Sequence, residues 1–258
     1  MNQVSNAVTS DSDWKSLYRA GGVAALIAGV LFRRNLAAEI GLFSQRQAPE
    51  AVRDWFALLQ SHRLLGLAYL NIFDIVNYIL VGLIFLALYA ALRRANKSYM
   101  AIATFLGFVG ITVYLASNTA FSMLSLSDQY AAATTEAQRS MLLAAGKAML
   151  VINRFSNPGA HPGTGGYISL LLVALAGMIV SIVMLRSDLF NRATAWVGIL
   201  AGALDLAYCM AFVFVPALDS KLLAVGFIPA AGLLWMIWHI MVGWKLLQLG
   251  KKTPPNPA

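Results

Sequence analysis

Apolar residues run along this chain in blocks of about 20, the length that carries a helix across a bilayer. Five blocks are clear, at 66–92, 100–124, 167–185, 193–215 and 222–247. A sixth opens at Gly21. It is too short if it stops at Phe32 and reaches full length only by continuing through Arg33, Arg34 and Glu39 to Phe43. A cleaved signal peptide is the competing reading of that block, since Lys15 and Arg19 precede a short apolar core. The sequence before Arg33 and Arg34 lacks a clean small-x-small cleavage site, which argues against it. The expected fold is all-α, a polytopic membrane bundle of six transmembrane helices over residues 14–250. The polar stretches 1–13 and 251–258 read as disordered tails.

Between these blocks, two segments keep a helical period with one apolar face. In 49–61, Val52, Trp55, Phe56 and Leu59 recur at helical spacing opposite Glu50, Arg53, Asp54 and Gln60. Segment 135–155 has the same character, and Thr135 with Gln138 has capping-box spacing at its start. Both read as amphipathic outer-loop helices, packed on the rim of the bundle or closing over it. The glycine-rich stretch 156–166 lacks the Gly-Lys-Ser/Thr of a phosphate-binding loop and follows no strand, so it reads as a loop with a solvated His161.

Composition agrees with the pattern. Hydrophobic residues make up 59% of the chain and charged residues 12%, where a soluble domain carries roughly 25% charged residues. The net charge of +8 does not point to nucleic acid, because the basic residues sit at the ends of the apolar blocks. Lys15, Arg19, Arg93, Arg94, Lys97, Arg186, Arg192, Lys251 and Lys252 fall on one side of a six-span topology, several of them in tight turns. By the positive-inside rule that side is cytoplasmic, both termini lie there, and the compartment is the inner (plasma) membrane. The bilayer is the expected partner.

Polar groups inside the apolar blocks carry the candidate chemistry, since each is costly in hydrocarbon and needs a reason to be there. Measured along the helix axis, Asp74 lies about 12 Å from a boundary near Gly66, with Asn71 and Asn77 three residues to either side. Arg33 and Arg34 lie about 14–15 Å, Asn118 about 9 Å and Asp205 about 16 Å from the outer face. All share one half of the bilayer. Read functionally, they form an outward-facing pocket for a small polar or lipid-like ligand, with Asp74 opposed by Arg33 or Arg34. Read structurally, they are interhelical glue. Gly198 and Gly202 form a close-packing GxxxG pair, for use within the bundle or in an oligomer. Cys209 is the only cysteine, and the three histidines, His62, His161 and His239, fall at different depths, so neither a disulfide nor a metal site is expected. No catalytic motif or cofactor signature is found, and the chain does not read as an enzyme.

The stretch Leu185-Arg186-Ser187-Asp188-Leu189-Phe190-Asn191-Arg192, followed by Gly198-Ile199-Leu200-Ala201-Gly202 and Tyr208, resembles the signature hairpin of a bacterial and archaeal membrane family catalogued as domain of unknown function 4386. The opening Tyr18-Arg19-Ala20-Gly21-Gly22 resembles the basic entry to that family's first helix. One departure is Asn191, where members often have proline. The resemblance implies a six-helix bundle, with no activity and no catalytic residues to carry over. The expected role is binding a small polar or lipid-like ligand. A structural or partner-binding subunit and a proton- or solute-coupled transporter stand as alternatives.

Overall fold

The computed structural model describes residues 14–39, 49–152, 163–215 and 220–251, the side chains of 32–39 and 220–225 excepted. The expectations placed on the two tails and on His161 lie outside those residues. The described residues are helical throughout, with no strand among them. In chain order the helices are α1 (Lys15–Glu39), α2 (Val52–Ser61), α3 (Arg63–Tyr69), α4 (Ile72–Leu92), α5 (Lys97–Ser117), α6 (Ala120–Ala132), α7 (Glu136–Ile152), α8 (Thr164–Leu185), α9 (Arg192–Phe214) and α10 (Ser220–Lys251).

Six long helices form a closed ring in which each packs on its neighbours in sequence: α1, α4, α5, α8, α9, α10, and back to α1. Their inward faces bury a single apolar core that includes Ile84, Leu88, Val180, Val183, Trp235 and Val242. Five stretches are long and apolar enough to cross a membrane: α4, α5 with α6, α8, α9, and Gly226–Lys251 of α10. The first helix is not among these five, yet its 25 residues occupy the sixth place in the ring. The result is a helical membrane bundle.

Small residues close the ring. The buried face of α1 consists of Gly21, Gly22, Ala24, Ala25, Ala28 and Gly29, so its backbone lies flush between α4 and α10, as small-residue stripes allow in lipid. At the seam, a Cβ added to Gly243 would stand 2.9 Å from the carbonyl oxygen of Gly22 and 3.0 Å from Leu26. Gly198 and Gly202 are used in the same way: Gly198 faces Ser181 and Trp238, while a Cβ on Gly202 would meet Met178 at 3.0 Å. Both pack inside the bundle, the first of the two uses expected for this pair.

At one end of the ring lie the tight turns and the basic residues. Arg93 stacks over the Trp14 ring at 4.7 Å, and Arg19 Nε donates to the Gly250 carbonyl at 3.1 Å. Asn96 and Asn191 cap α5 and α9, their side-chain oxygens accepting from Tyr99 N–H at 3.0 Å and Thr194 N–H at 2.8 Å. Asn191 is thus a helix start in its own right, which accounts for asparagine at that departure from the family pattern.

The opposite end carries a helical cap of α2, α3, α6 and α7 with its own core of Trp55, Phe56, Leu59, Leu70, Ala120 and Met123. Both expected amphipathic helices are present, and the expected capping box starts α7: Gln138 N–H donates to Thr135 Oγ1 at 3.2 Å, while Thr135 N–H donates back to Gln138 Oε1 at 3.4 Å. Two of the expected spans end earlier than the hydropathy pattern indicates. The block 66–92 breaks at Asn71, which adopts the left-handed conformation at φ 63°, tolerated by asparagine better than by most residues. The block 100–124 breaks at Asn118, whose Oδ1 accepts from Ala120 N–H at 3.0 Å and starts α6. Each remaining span, α4 or α5, has 21 residues, about 31 Å of helix, which matches the hydrocarbon core unaided. Apolar α3 and α6 bury their faces in the cap instead.

Two outcomes test this architecture. Gly243→Leu lowers stability in detergent by about 1–3 kcal/mol through overpacking at the α1–α10 seam. Gly226→Leu, where nothing lies within 4 Å of an added Cβ, leaves the thermal midpoint unchanged. In the cap, Ser127 is fully buried, donates to Phe56 O at 3.1 Å and accepts from Gln60 at 3.0 Å. Ser127→Val removes these two bonds between α6 and α2, at about 0.5–1.5 kcal/mol each. Hydrogen exchange then rises in α2 and α6 but not in α8 or α9.

Candidate functional site

The ring interior changes character along its length. On α4 the buried stripe from the basic end reads Leu92, Leu88, Ile84, Phe85 and Val81. One turn further towards the cap it becomes Asn77, 5% exposed, with Asp74 three residues beyond on the same face. On α5 the stripe Met100, Ala103, Gly107, Gly110 and Ile111 ends at Tyr114. On α8, Ser169 is fully buried near the cap end, and on α9 the glycine and alanine face gives way to Asp205 and Tyr208. Four helices thus turn their polar inward positions towards the same end.

These groups engage one another in steps. Tyr114 Oη donates to Asp74 Oδ2 at 3.1 Å. Its ring lies face to face with that of Tyr78, centroids 4.0 Å apart and planes within 8°. Ser169 Oγ donates to Tyr78 Oη at 3.4 Å. Tyr78 stands one turn from Asp74 along α4. Asp205, 7% exposed, accepts the Trp235 indole N–H at 2.7 Å. One turn along α10, His239 Nδ1 lies 2.6 Å from the Trp235 carbonyl, and its ring meets Trp235 and Trp238 edge to face. His239 is held by packing and a backbone bond. Among the described residues no cluster of histidine, cysteine or carboxylate side chains has the composition to hold a metal ion.

The helix breaks revise the expected depths. Asp74 lies in the first turn of α4, about 3 Å from its cap-side end rather than 12 Å, and Asn118 sits at the very end of α5 rather than 9 Å inside. Asn77, Tyr78 and Ser169 follow at about 8–9 Å, and Asp205 lies deepest at about 14 Å from the end of α9. Asn71 and Asn118, expected to line a pocket, serve first as helix terminators. The backbone of α1 continues through Arg33 and Arg34, whose side chains lie outside the described residues, so the pairing expected between them and Asp74 is not described. A buried amide atom at this end makes no hydrogen bond among the described residues: Asn77 Oδ1.

Tyr78, Tyr114, Ser169 and Trp235 belong to this constellation although the sequence reading passed over them. A signal was present: Tyr78 stands four residues after Asp74, and Tyr114 four residues before Asn118, each on the face of a polar group already singled out. Tyrosine and tryptophan in apolar blocks otherwise read as membrane-interface residues. Separately, the cap holds a cleft of about 500 Å³ lined by Arg53, Phe56, Gln60, Tyr130, Glu136 and Arg139. It lies on the cap and is not part of the ring interior.

No curated protein and no solved structure matches the chain. One family model does, described as Domain of unknown function (DUF4386), and it covers residues 16–243. That match runs from the first turn of α1 to the last third of α10 and takes in the whole ring and its cap. The chain therefore belongs to this family, as the hairpin from Leu185 to Tyr208 had indicated.

Proposed function

We propose that this protein sits in the inner (plasma) membrane with its basic end and both termini in the cytoplasm, and binds a small polar or lipid-like ligand at the cap end of the ring. The orientation rests on the charge asymmetry between the two ends. Arg93, Arg94, Lys97, Arg186 and Arg192 gather at the tight turns together with Arg19 and Lys251, while basic and acidic residues alternate on the cap.

The binding reading rests on one observation. At the cap end an acceptor, Asn77 Oδ1, is buried with no hydrogen bond among the described residues, beside the hydrogen-bonded Asp74–Tyr114 pair. A buried amide oxygen left unpaired costs about 1–3 kcal/mol, and a ligand bearing a hydrogen-bond donor relieves it. A hydroxyl, amine or amide headgroup has that chemistry. The role is binding rather than catalysis, and the cap of α2, α3, α6 and α7 stands where a ligand entering from the outer leaflet would pass.

The structural alternative, a polar seam that only joins helices, draws on the Tyr114–Asp74 bond, which links α5 to α4. Native mass spectrometry of protein released from nanodiscs separates the two. The binding reading predicts a discrete extra mass on the wild type, lost in Asp74→Asn while the variant still inserts and folds. Bare peaks of equal stability from both proteins reject ligand binding in favour of the seam.

A further inference from the structure

Asp205 stands apart from the other polar groups. It is the deepest carboxyl in the ring, its hydrogen bond comes from a neutral indole, and no ion pair to it occurs among the described residues. An ionised carboxylate held this way in a membrane interior is costly, and protein interiors remove that cost by binding a proton or a cation. The neighbours decide between these. From α10 it faces Trp235, with His239 one turn further. On α8, Tyr167 donates to the Cys209 carbonyl at 3.1 Å, and Ser169 stands two residues further along the helix. On α9 itself Tyr208 and Cys209 follow at three and four residues. On α4 are Tyr78, which accepts from Ser169, and Asp74 one turn nearer the cap. None of these groups is cationic at neutral pH apart from a charged His239, and that ring is buried against two indoles. The surroundings offer hydroxyls, and among the described residues no three histidine, cysteine or carboxylate side chains gather there to hold a metal ion.

By helical rise, these groups step inward from the cap end. Asp74 lies about 3 Å from the cap-side helix end, Tyr114 about 5 Å, Tyr78 and Ser169 about 8–9 Å and Asp205 about 14 Å. A hydroxyl both donates and accepts, so each can pass a proton on, whereas an indole N–H only donates. Trp235 therefore closes the series on its far side. Beyond Asp205 the inward faces of α4 and α8 bury Val81, Ile84, Val180 and Val183, and the one hydroxyl among them, Ser181, bonds back to the Gly177 carbonyl.

We propose that Asp205 is a proton-binding site in the membrane interior, and that it exchanges its proton with the cap face alone, through Ser169, Tyr78, Tyr114 and Asp74. The carboxylic acid O–H forms when the carboxylate takes the proton and breaks when it returns it, so nothing else is consumed. This site does not depend on the ligand reading. A protein that carries no ligand mass still shows it, and one that carries a ligand is not thereby shown to have it.

The test is infrared difference spectroscopy of the full chain in liposomes, taken between acidic and alkaline buffers. The wild type shows the C=O stretch of a buried carboxylic acid, responsive to pH. Asp205→Asn loses that band and Asp74→Asn keeps it. Trp235→Phe removes the indole donor, so the band persists at a shifted frequency, and Tyr114→Phe slows its isotope shift on transfer to heavy water. A band that survives Asp205→Asn, or one that ignores buffer pH, overturns the proposal. Should Asp205→Asn fail to fold, the Trp235→Phe shift carries the test, and an unshifted band overturns it equally.

Discussion

Every polar side chain inside a membrane-spanning ring must find its partner within the ring, because hydrocarbon supplies none. The architecture of this protein follows from where that demand is met. In the half nearer the basic turns it is largely avoided: the inward stripes of α1, α4, α5, α8 and α9 are mostly small and apolar residues, Ser181 satisfies itself on the Gly177 carbonyl at 2.8 Å, and Trp238 Nε1 on α10 is buried without a bond among the described residues. In the half nearer the cap it is met by exchange between helices, Tyr114 with Asp74, Ser169 with Tyr78 and Trp235 with Asp205. Those bonds link α5 to α4, α8 to α4 and α10 to α9, so the same contacts that solve the solvation problem fix the ring order at that end.

The cap obeys a related rule. Its helices carry enough apolar surface to extend two of the membrane blocks, yet they are turned aside at Asn71 and Asn118. A left-handed residue at the first break and an extended one at the second redirect α3 and α6 onto α2 and α7. The apolar faces of Leu70, Ala120 and Met123 are then covered by Trp55, Phe56 and Leu59 instead of by lipid. Asp74 and Tyr114 consequently stand at a junction between ring and cap, the place where a polar interior is most readily reached.

Much of this was legible in the chain. The lengths of the apolar blocks gave the long helices, basic turns gave a common end for Arg19, Arg93 and Lys251, and Thr135 with Gln138 marked the start of α7. The gathering of Asp74, Asn77 and Asp205 in one half of the ring followed from helical rise alone. The two breaks were not legible, because hydropathy reads Leu67 or Leu124 as membrane whether a lipid tail or Trp55 covers it. Asparagine inside an apolar block signalled a polar site when its first duty was to end a helix. Tyr78 and Tyr114 were missed for a similar reason. Their rings count as apolar in a hydropathy profile, and only the side-by-side placement of α4 and α5 puts their hydroxyls beside the carboxyls.

The division of the interior into a polar half and a dry half is the claim on which the rest stands. Asn77 and Leu88 lie on the same inward stripe of α4, three turns apart, and Cys209 is the only native thiol. In a Cys209→Ser background, Asn77→Cys and Leu88→Cys can each be exposed to a water-soluble thiol reagent in sealed vesicles. The account predicts reaction at position 77 from the cap side and none at position 88 from either side. Equal protection of both positions, or reaction at 88 from the basic end, would contradict it.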